Sequence, residues 1–222
     1  MPRSALAAGP MRAGSVGSDI SWPQCGHGLP QGYSFGVVGV TGGRPFTAND
    51  CFTEEFGWAS LMGEAQLYVN LEFGQAADGA LHCMDGDAGC TAYNFGWNAA
   101  ADAWNKAIGK SSGTAGYVST WWLDVEIENA WSDDTLLNSY VIQGAIDYLG
   151  RMQGRTVGVY STPYQWARIA ADYAPPGVPN WVAGASGLDD SGRCGASLWP
   201  GSQVWLVQYL NLGVDLDQNL AC

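Results

Sequence analysis

Short segments rich in Val, Tyr and Trp alternate with Ala-rich segments over the first two thirds of this chain. Such an alternation is typical of βα units, in which parallel strands are connected by helices that pack on the sheet. Eight segments are predicted to be strands: Gly17–Ser21, Phe35–Val40, Leu67–Leu71, Trp121–Ile127, Val157–Ser161, Trp181–Ala183, Val204–Tyr209 and Gly213–Leu216. Four segments are predicted to be helices: Asn49–Met62, Asn98–Ile108, Thr135–Met152 and Thr162–Ala171.

Eight strands in this order favour an α/β fold of the TIM-like barrel type, with an open doubly wound sheet as the alternative. The helical pattern stops after Ala171, and Gly-, Pro- and Ser-rich segments such as Gly184–Ser202 join the last three strands. We therefore expect these strands to be nearly helix-free. The 222 residues suffice for one domain, since α/β barrels run to about 200–250 residues. We predict one domain over residues 17–222, after a flexible remnant or linker over residues 1–16.

The segment Trp121–Glu128 combines the pattern of a buried strand with three acids that are spaced two residues apart. Side chains alternate between the faces of a strand, so Asp124, Glu126 and Glu128 are predicted to share one face while the intervening apolar residues pack on the other. Residues two apart lie roughly 6.5–7 Å apart along a strand, close to the separation of carboxyl pairs that cleave glycosidic bonds. Glycoside hydrolysis is therefore the first hypothesis for the function.

Two further acids, Asp19 and Asp215, lie on the first and last predicted strands. Barrels of this type build their active sites at the C-terminal ends of the strands, and the first and last strands of a closed barrel are neighbours. We therefore expect Asp19 and Asp215 to lie together near Asp124 and Glu126. Like charges and apolar walls raise the pKa of a carboxyl group, as a general acid requires.

Charge and composition exclude several other functions. The net charge of −12 and the scattered basic residues argue against nucleic acid as a partner, because the long-range field would repel it. No segment approaches the roughly 18 apolar residues of a membrane span. The only histidines, His27 and His82, give little support to a Ser-His-Asp triad. The acids could alternatively be structural or bind calcium, but Asp85-Gly86-Asp87 lacks the other ligands of an EF-hand loop. We predict no metal and no cofactor.

The six cysteines lack the short paired spacings of a zinc site and are predicted to form disulfides in an oxidising compartment. Six cysteines allow fifteen connectivities. The short loop between Cys83 and Cys90 and the position of Cys222 favour the pairs Cys25–Cys51, Cys83–Cys90 and Cys194–Cys222. Secretion is inferred from these cysteines alone.

Eleven Trp residues occur in the chain, several of them next to the ends of predicted strands. Aromatic faces offer a large contact area at a small entropic cost and stack on the apolar faces of sugar rings. Trp22 and Trp181, beside polar or small residues, are the candidates for a sugar-binding cleft. Core packing is the alternative role for each of them.

Six short motifs follow one another along the chain: Gly17-Ser18-Asp19-Ile20-Ser21, Trp122-Leu123-Asp124-Val125-Glu126, Val157-Gly158-Val159-Tyr160, Trp181-Val182-Ala183, Trp205-Leu206-Val207-Gln208-Tyr209 and Val214-Asp215-Leu216-Asp217. In this order they resemble glycoside hydrolase family 25, the lysozyme-like muramidases, and related actinobacterial glycoside hydrolase-like domains. The resemblance extends from about Gly17 to the last residue. It implies a barrel of five βα units followed by three nearly helix-free strands.

The resemblance also implies roles for individual residues. Glu126 would be the general acid that protonates the leaving oxygen and later activates water. Asp124 would orient the acetamido group of the substrate or stabilise the oxocarbenium-like centre, while Asp19 and Asp215 hold charge and substrate in place. The remaining residues predicted to contact substrate are Asn70, Tyr160, Gln208 and Tyr209, together with the two tryptophans above.

The chain departs from the family pattern on its second and third predicted strands. Such muramidases usually carry a Lys and, three residues later, a Glu, where this chain has Gly39 and Gly42. A His on strand three is replaced by Asn, either Asn70 or Asn94. These departures indicate retained catalytic machinery beside a changed substrate wall.

Together these observations predict a secreted, monomeric glycoside hydrolase that acts on peptidoglycan or a related cell-envelope glycan. The alternative is a catalytically inactive barrel that binds a glycan through aromatic residues, since a fold does not guarantee a function. Retention of the acids favours the enzyme, because buried carboxylates are costly unless they are paired or used.

Overall fold

The computed structural model describes residues 9–74, 82–84, 87–187, 191–211 and 216–222. Its eight strands close into one barrel in chain order, which confirms the predicted TIM-like fold. The strands are β1 Val16–Ile20, β2 Gly36–Gly39, β3 Ala65–Asn70, β4 Thr120–Asp124, β5 Thr156–Ser161, β6 Asn180–Ala185, β7 Val204–Asn211 and β8 Leu216–Ala221. Strands β1 to β7 are parallel, and β8 closes the barrel by running antiparallel to both β7 and β1.

Within the described ranges, four α-helices surround the barrel: α1 Phe52–Leu61, α2 Ala88–Lys110, α3 Thr135–Gly150 and α4 Pro163–Ile169. They follow β2, β3, β4 and β5, so the expectation that the late strands lack α-helices holds for the described residues. The connection after β1 differs from a full βα unit, since it contains only the three-residue 3-10 helix Trp22–Gln24. None of the helices within the described residues is long and apolar enough to span a membrane.

Helix α2 begins ten residues before the predicted start at Asn98. Asp87 caps it, accepting a hydrogen bond of 2.7 Å from the backbone N–H of Cys90. Glycines in the first turns weaken the local helical pattern, yet Gly96 is required by packing, because a Cβ there would lie 1.8 Å from the backbone oxygen of Val141 on α3. The tertiary contact between α2 and α3 therefore outweighs local propensity.

Alternate residues of each strand contribute to two separate cores. On β4, Trp121 and Leu123 pack outward against the helices, whereas Trp122 points into the barrel beside Trp181 and Trp205. Gly158 on β5 makes room for this inner cluster, because a Cβ there would lie 2.2 Å from the Trp122 ring. Large aromatic side chains thus fill the middle of the barrel.

Part of the segment predicted to be a flexible linker packs against the barrel. The backbone N–H of Gly14 donates to Ala221 at 2.8 Å, and Met11 packs on the inner core, where its sulfur accepts from the side-chain amide of Gln66. The domain therefore begins before Gly17, the predicted boundary. The apolar Met11 covers the N-terminal end of the barrel. The residues around it are typical of turns, so the sequence did not indicate this role.

All three disulfides join the predicted partners: Cys25–Cys51, Cys83–Cys90 and Cys194–Cys222. The first connects the segment after β1 to the residue preceding α1, and the third connects the segment before β7 to the residue following β8. Such cross-links stabilise a fold chiefly by restricting the unfolded chain.

Candidate active site

A pocket of about 100 Å³ opens at the C-terminal end of the barrel strands. This is the end at which barrels of this type build active sites. Its wall consists of acids, aromatic side chains and one amide: Asp19, Tyr68, Asp124, Glu126, Tyr160, Trp181, Gln208 and Asp217. We call its four acids, Asp19, Asp124, Glu126 and Asp217, the acid pocket.

Asp124 is the last residue of β4, and Glu126 lies beyond the strand. The parallel ladder continues only to Val125, whose N–H donates to Tyr160 at 3.0 Å. The backbone carbonyl of Glu126 then accepts a hydrogen bond of 2.7 Å from the Trp131 indole N–H. The prediction of one long strand to Ile127 is therefore wrong, and Ile127 is 47% exposed. The turn after Asp124 brings the two carboxyl groups into a mutual hydrogen bond, not the separation expected along a strand.

The Asp124 carboxyl group is 5% exposed and only half satisfied. Its Oδ2 accepts a hydrogen bond from the Asn70 amide, whose own oxygen accepts from the Thr41 hydroxyl at 2.5 Å. No hydrogen-bond partner among the described residues reaches Oδ1. Burial, followed by the charge of Glu126, raises the pKa of Asp124 well above its ordinary value.

Glu126 is the more exposed member of the pair. Burial raises its pKa, and the charge of the exposed Glu128 raises it further. Hydrogen bonds from Gln165 and Asp124 act in the opposite direction. Gln165 lies in the first turn of α4, where Thr162 caps the helix by accepting from the Gln165 N–H at 3.1 Å. The capped helix thus fixes a group that holds the Glu126 side chain.

Asp19 lies on the opposite side of the pocket, on β1. It accepts hydrogen bonds from the Gln208 amide at 3.1 and 3.2 Å and from the Asn219 amide at 2.6 Å. The Trp181 indole N–H donates to Asn219 at 2.7 Å and so fixes the orientation of that amide. Burial, followed by the charge of Asp217, raises the pKa of Asp19 from 3.8 to about 7, although the two amides lower it.

Tyr68 occupies the space that a larger residue on β2 would require. A Cβ at Gly39 would lie 2.6 Å from the Tyr68 Cζ atom and 2.7 Å from its hydroxyl oxygen. Burial, followed by the charge of Asp124, raises the pKa of Tyr68 well above its ordinary value, so the ring stays a neutral phenol. Gly39 stands where such muramidases carry a Lys. Here the uncharged Tyr68 ring covers this position.

Most of the predicted site residues meet at this pocket. Asp19, Asp124, Glu126, Tyr160, Trp181 and Gln208 line it, and Asn70 contacts Asp124 directly. The choice between the two asparagines is settled by position, since Asn70 ends β3 whereas Asn94 lies on α2. Tyr160 donates to Gln208 at 2.7 Å. Asp215 lies outside the described residues.

The structure corrects two aromatic predictions, and the role of Trp22 stays a prediction. Trp22 is 50% exposed and lines a separate pocket of about 360 Å³, beside Thr47 and Asp50. Trp181 lines the acid pocket but is only 2% exposed, so it has no free face for stacking. Tyr209 lies on the other face of β7 from Gln208 and donates to Gln218 at 2.6 Å. Strand alternation places it outside the pocket.

Sequence reasoning missed Tyr68, Gln165, Asp217 and Asn219. Tyr68 and Asn219 could have been found from alternation, because each lies two residues from another inward-facing position on its strand. Asp217 follows from the register of β8, in which Ser18 pairs with Gln218 and places Asp217 beside Asp19. No sequence signal identified Gln165, whose role depends on how α4 packs over the end of β4.

The arrangement suits proton transfer within a partly dry pocket. Two carboxyl groups that share a proton can donate it to a bound oxygen and take it back, and neighbouring carboxylates can stabilise positive charge. Among the described residues, no group of three or more His, Cys, Asp or Glu side chains is placed to hold a metal ion.

Solved structures with the same fold include two lysozymes and an autolysin by name. The lysozyme of Streptomyces coelicolor superposes with a TM-score of 0.60 at 16% identity, over 94% of this chain and 92% of that one. A family GH25 lysozyme from Aspergillus fumigatus gives 0.55 at 15%, over 94% and 93%. The autolysin LytC from Streptococcus pneumoniae, solved with a synthetic peptidoglycan ligand, gives 0.59 at 13%, over 93% of this chain but only 46% of its own.

These superpositions establish a shared fold of the glycoside hydrolase family 25 type, as the sequence motifs implied. No protein-family model matches the chain, and no curated protein matches it in sequence.

Proposed function

We propose that the protein is a secreted glycoside hydrolase that cleaves peptidoglycan or a related cell-envelope glycan. The observation that carries the proposal is the proton-sharing pair Asp124–Glu126 in a pocket at the C-terminal end of the barrel. The shared fold with lysozymes supports it. The three disulfides support secretion, since such bonds persist in oxidising compartments. We expect the enzyme to act as a monomer.

Glu126 is proposed as the general acid and base. It is the more accessible of the paired carboxyl groups, so a glycosidic oxygen can approach it, and its raised pKa keeps a proton available. After the leaving sugar departs, the same carboxylate accepts a proton from the attacking water. Gln165, which bonds to the Glu126 side chain, restrains its orientation through this cycle.

Asp124 is proposed to bind the substrate through a hydrogen bond. Asp124 lines the pocket and its Oδ1 has no hydrogen-bond partner among the described residues, so this atom can accept a hydrogen bond from an N–H on the sugar. Asp19 and Asp217, across the pocket, would stabilise the positive charge that develops on the ring in the transition state. Asp215 remains a prediction for the same role.

The exposed Trp22 is proposed to stack on a sugar further along the chain. Its pocket is built from the segments that follow β1 and β2, at the same end of the barrel as the acid pocket. The bulk of a polymeric substrate would therefore rest outside the 100 Å³ pocket, which admits only the reacting part.

Release of reducing ends from purified peptidoglycan and other envelope glycans tests this proposal. Glu126→Gln should lower the rate by about 100- to 10,000-fold, the usual contribution of a general acid or base. Glu64→Gln is the matched control, because it makes the same chemical change at an exposed site just before β3, at the other end of the barrel, and should keep the activity.

Activity that survives in Glu126→Gln would refute the assignment of Glu126. Binding of glycans by the wild type without release from any of them would identify the protein as a glycan-binding barrel that lacks turnover.

A further inference from the structure

The turn that follows Glu126 lies largely in solvent. Ile127, Glu128 and Ala130 are all exposed, so core packing contributes little to holding this part of the backbone. A general acid nevertheless has to be held within about 0.5 Å of its working position. Hydrogen bonds must therefore supply most of the restraint.

The peptide unit between Glu126 and Ile127 is held on two sides. Its carbonyl oxygen accepts a hydrogen bond of 2.7 Å from the Trp131 indole N–H and a longer one of 3.3 Å from the Asn129 backbone N–H. Its own N–H donates to the Gln165 side-chain oxygen at 3.3 Å. Because a peptide unit is planar, bonds to both its oxygen and its nitrogen fix its orientation. That orientation sets the dihedral angle ψ of Glu126, and with it the direction in which the side chain leaves the backbone.

Trp131, which makes the shortest of these bonds, is anchored on both sides along the chain. The carbonyl of Ala130 before it accepts from the Phe73 N–H at 2.7 Å. Ser132 after it exchanges two hydrogen bonds, of 2.9 and 3.0 Å, with the buried side chain of Asn138 on α3. The Trp131 ring packs against apolar side chains of α2 and α3. Its indole N–H is therefore a fixed point from which the position of the turn can be set.

We propose, on the basis of the function proposed above, that Trp131 is a positioning residue for the general acid. Its indole N–H holds the carbonyl of Glu126 and, through the peptide plane, directs the carboxyl group toward Asp124 and the Gln165 side chain. Without this bond, only the two longer bonds would hold the peptide unit. The carboxyl group would then lie less often in line with the glycosidic oxygen, while the walls that bind the sugar would be unchanged.

Steady-state release of reducing ends by the variant Trp131→Phe tests this inference. A displacement of about 1 Å at a catalytic group can cost about 100-fold in rate, so kcat should fall about 10- to 100-fold. KM should change by less than about twofold, since the interactions that bind the substrate before the reaction are kept. A residue with a purely structural role would lower Tm without producing this difference between kcat and KM.

Trp58→Phe is the matched control. The Trp58 indole N–H donates to the Pro30 carbonyl at 2.7 Å, so the substitution removes a hydrogen bond of the same type and length. Trp58 lies on α1 against Gly36, the first residue of β2, at the opposite end of the barrel from the acid pocket. We expect its Tm to fall at least as much as that of Trp131→Phe, because Trp58 is the more buried of the two, with kcat and KM unchanged.

A second variant separates the hydrogen bond from the bulk of the ring. Replacing the indole N–H of Trp131 by sulfur, as in a benzothiophene side chain, removes the donor and keeps the packing. This variant should lose as much kcat as Trp131→Phe, and it provides the same test if Trp131→Phe does not fold.

A sulfur variant that keeps the kcat of the wild type would overturn the inference and leave the hydrolase proposal intact. The same conclusion would follow if Trp58→Phe lost as much kcat as Trp131→Phe. Absence of release by the wild type from any glycan would instead overturn the proposed function and the inference together.

Discussion

Replacing Asp19 by Asn should stabilise the protein in a pH-dependent way. Asp19 is 8% exposed, and its pKa in the fold is about 7 compared with an ordinary value of 3.8. The folded state of the wild type holds the Asp19 proton more tightly than the unfolded state does. The free energy of unfolding that this proton contributes is therefore fully present below pH 3.8 and is lost as the pH rises to about 7. Asn is neutral at every pH and keeps an oxygen for the Asn219 and Gln208 amides, so the variant avoids this loss.

The size of the effect follows from the two pKa values. They differ by about 3, and each pH unit is worth about 1.36 kcal/mol, so the variant should gain up to about 4 kcal/mol above pH 7 and almost nothing below pH 4. For a chain of this length, about 4 kcal/mol corresponds to a rise in Tm of about 8–16 °C. Activity should fall at the same time, since the residue faces the substrate.

Thermal and urea denaturation across this pH range measures the difference directly. Asp172→Asn makes the same chemical change at an exposed site and should show no comparable trend with pH. A stability difference for Asp19→Asn that is constant between pH 4 and pH 8 would refute the reasoning, because it would show that Asp19 titrates normally in the fold. Destabilisation at high pH would show that its hydrogen bonds outweigh its desolvation.

Two further predictions concern the support of the site. Gln165→Ala removes a hydrogen bond that lowers the pKa of Glu126, so the alkaline limb of the kcat/KM profile should move to higher pH. A limb that stays at the same pH would show that Gln165 does not influence the general acid. Gly158→Ala should destabilise the fold by about 1–3 kcal/mol through overpacking, because the new Cβ meets the Trp122 ring and the Pro179 carbonyl. Gly109→Ala on α2, which meets nothing within 4 Å, should be neutral or stabilising in the same denaturation assay.

Positions governed by strand alternation were predictable from the sequence. Asp19, Asp124 and Tyr160 lie late on their strands, and together with Gln208 they line the pocket, as the period of two requires. The disulfide pairs and the scarcity of helices after Ala171 were also predictable. These features depend on local pattern and on closure of the barrel, which the number of strands indicates.

Features that depend on where elements end, or on contacts between distant residues, were not predictable. The strand that carries Asp124 ends three residues before Ile127, its predicted end, and the turn that follows places Glu126 against Asp124. The burial of Trp181 depends on aromatic neighbours from three other strands. Gln165 acts through the packing of a capped helix, which no spacing in the sequence encodes.

The direction of β8 also has a consequence for how the molecule can be attached to something else. Val16 pairs with Leu220, and the N–H of Gly14 donates to Ala221. The backbone therefore enters β1 and leaves β8 at the same end of the barrel, the N-terminal end of β1. The opening of the acid pocket lies at the opposite end of the barrel. A module, tag or solid support joined at either side of the barrel sequence would therefore leave the opening unobstructed, so an anchored molecule could still work on the surface of an insoluble polymer.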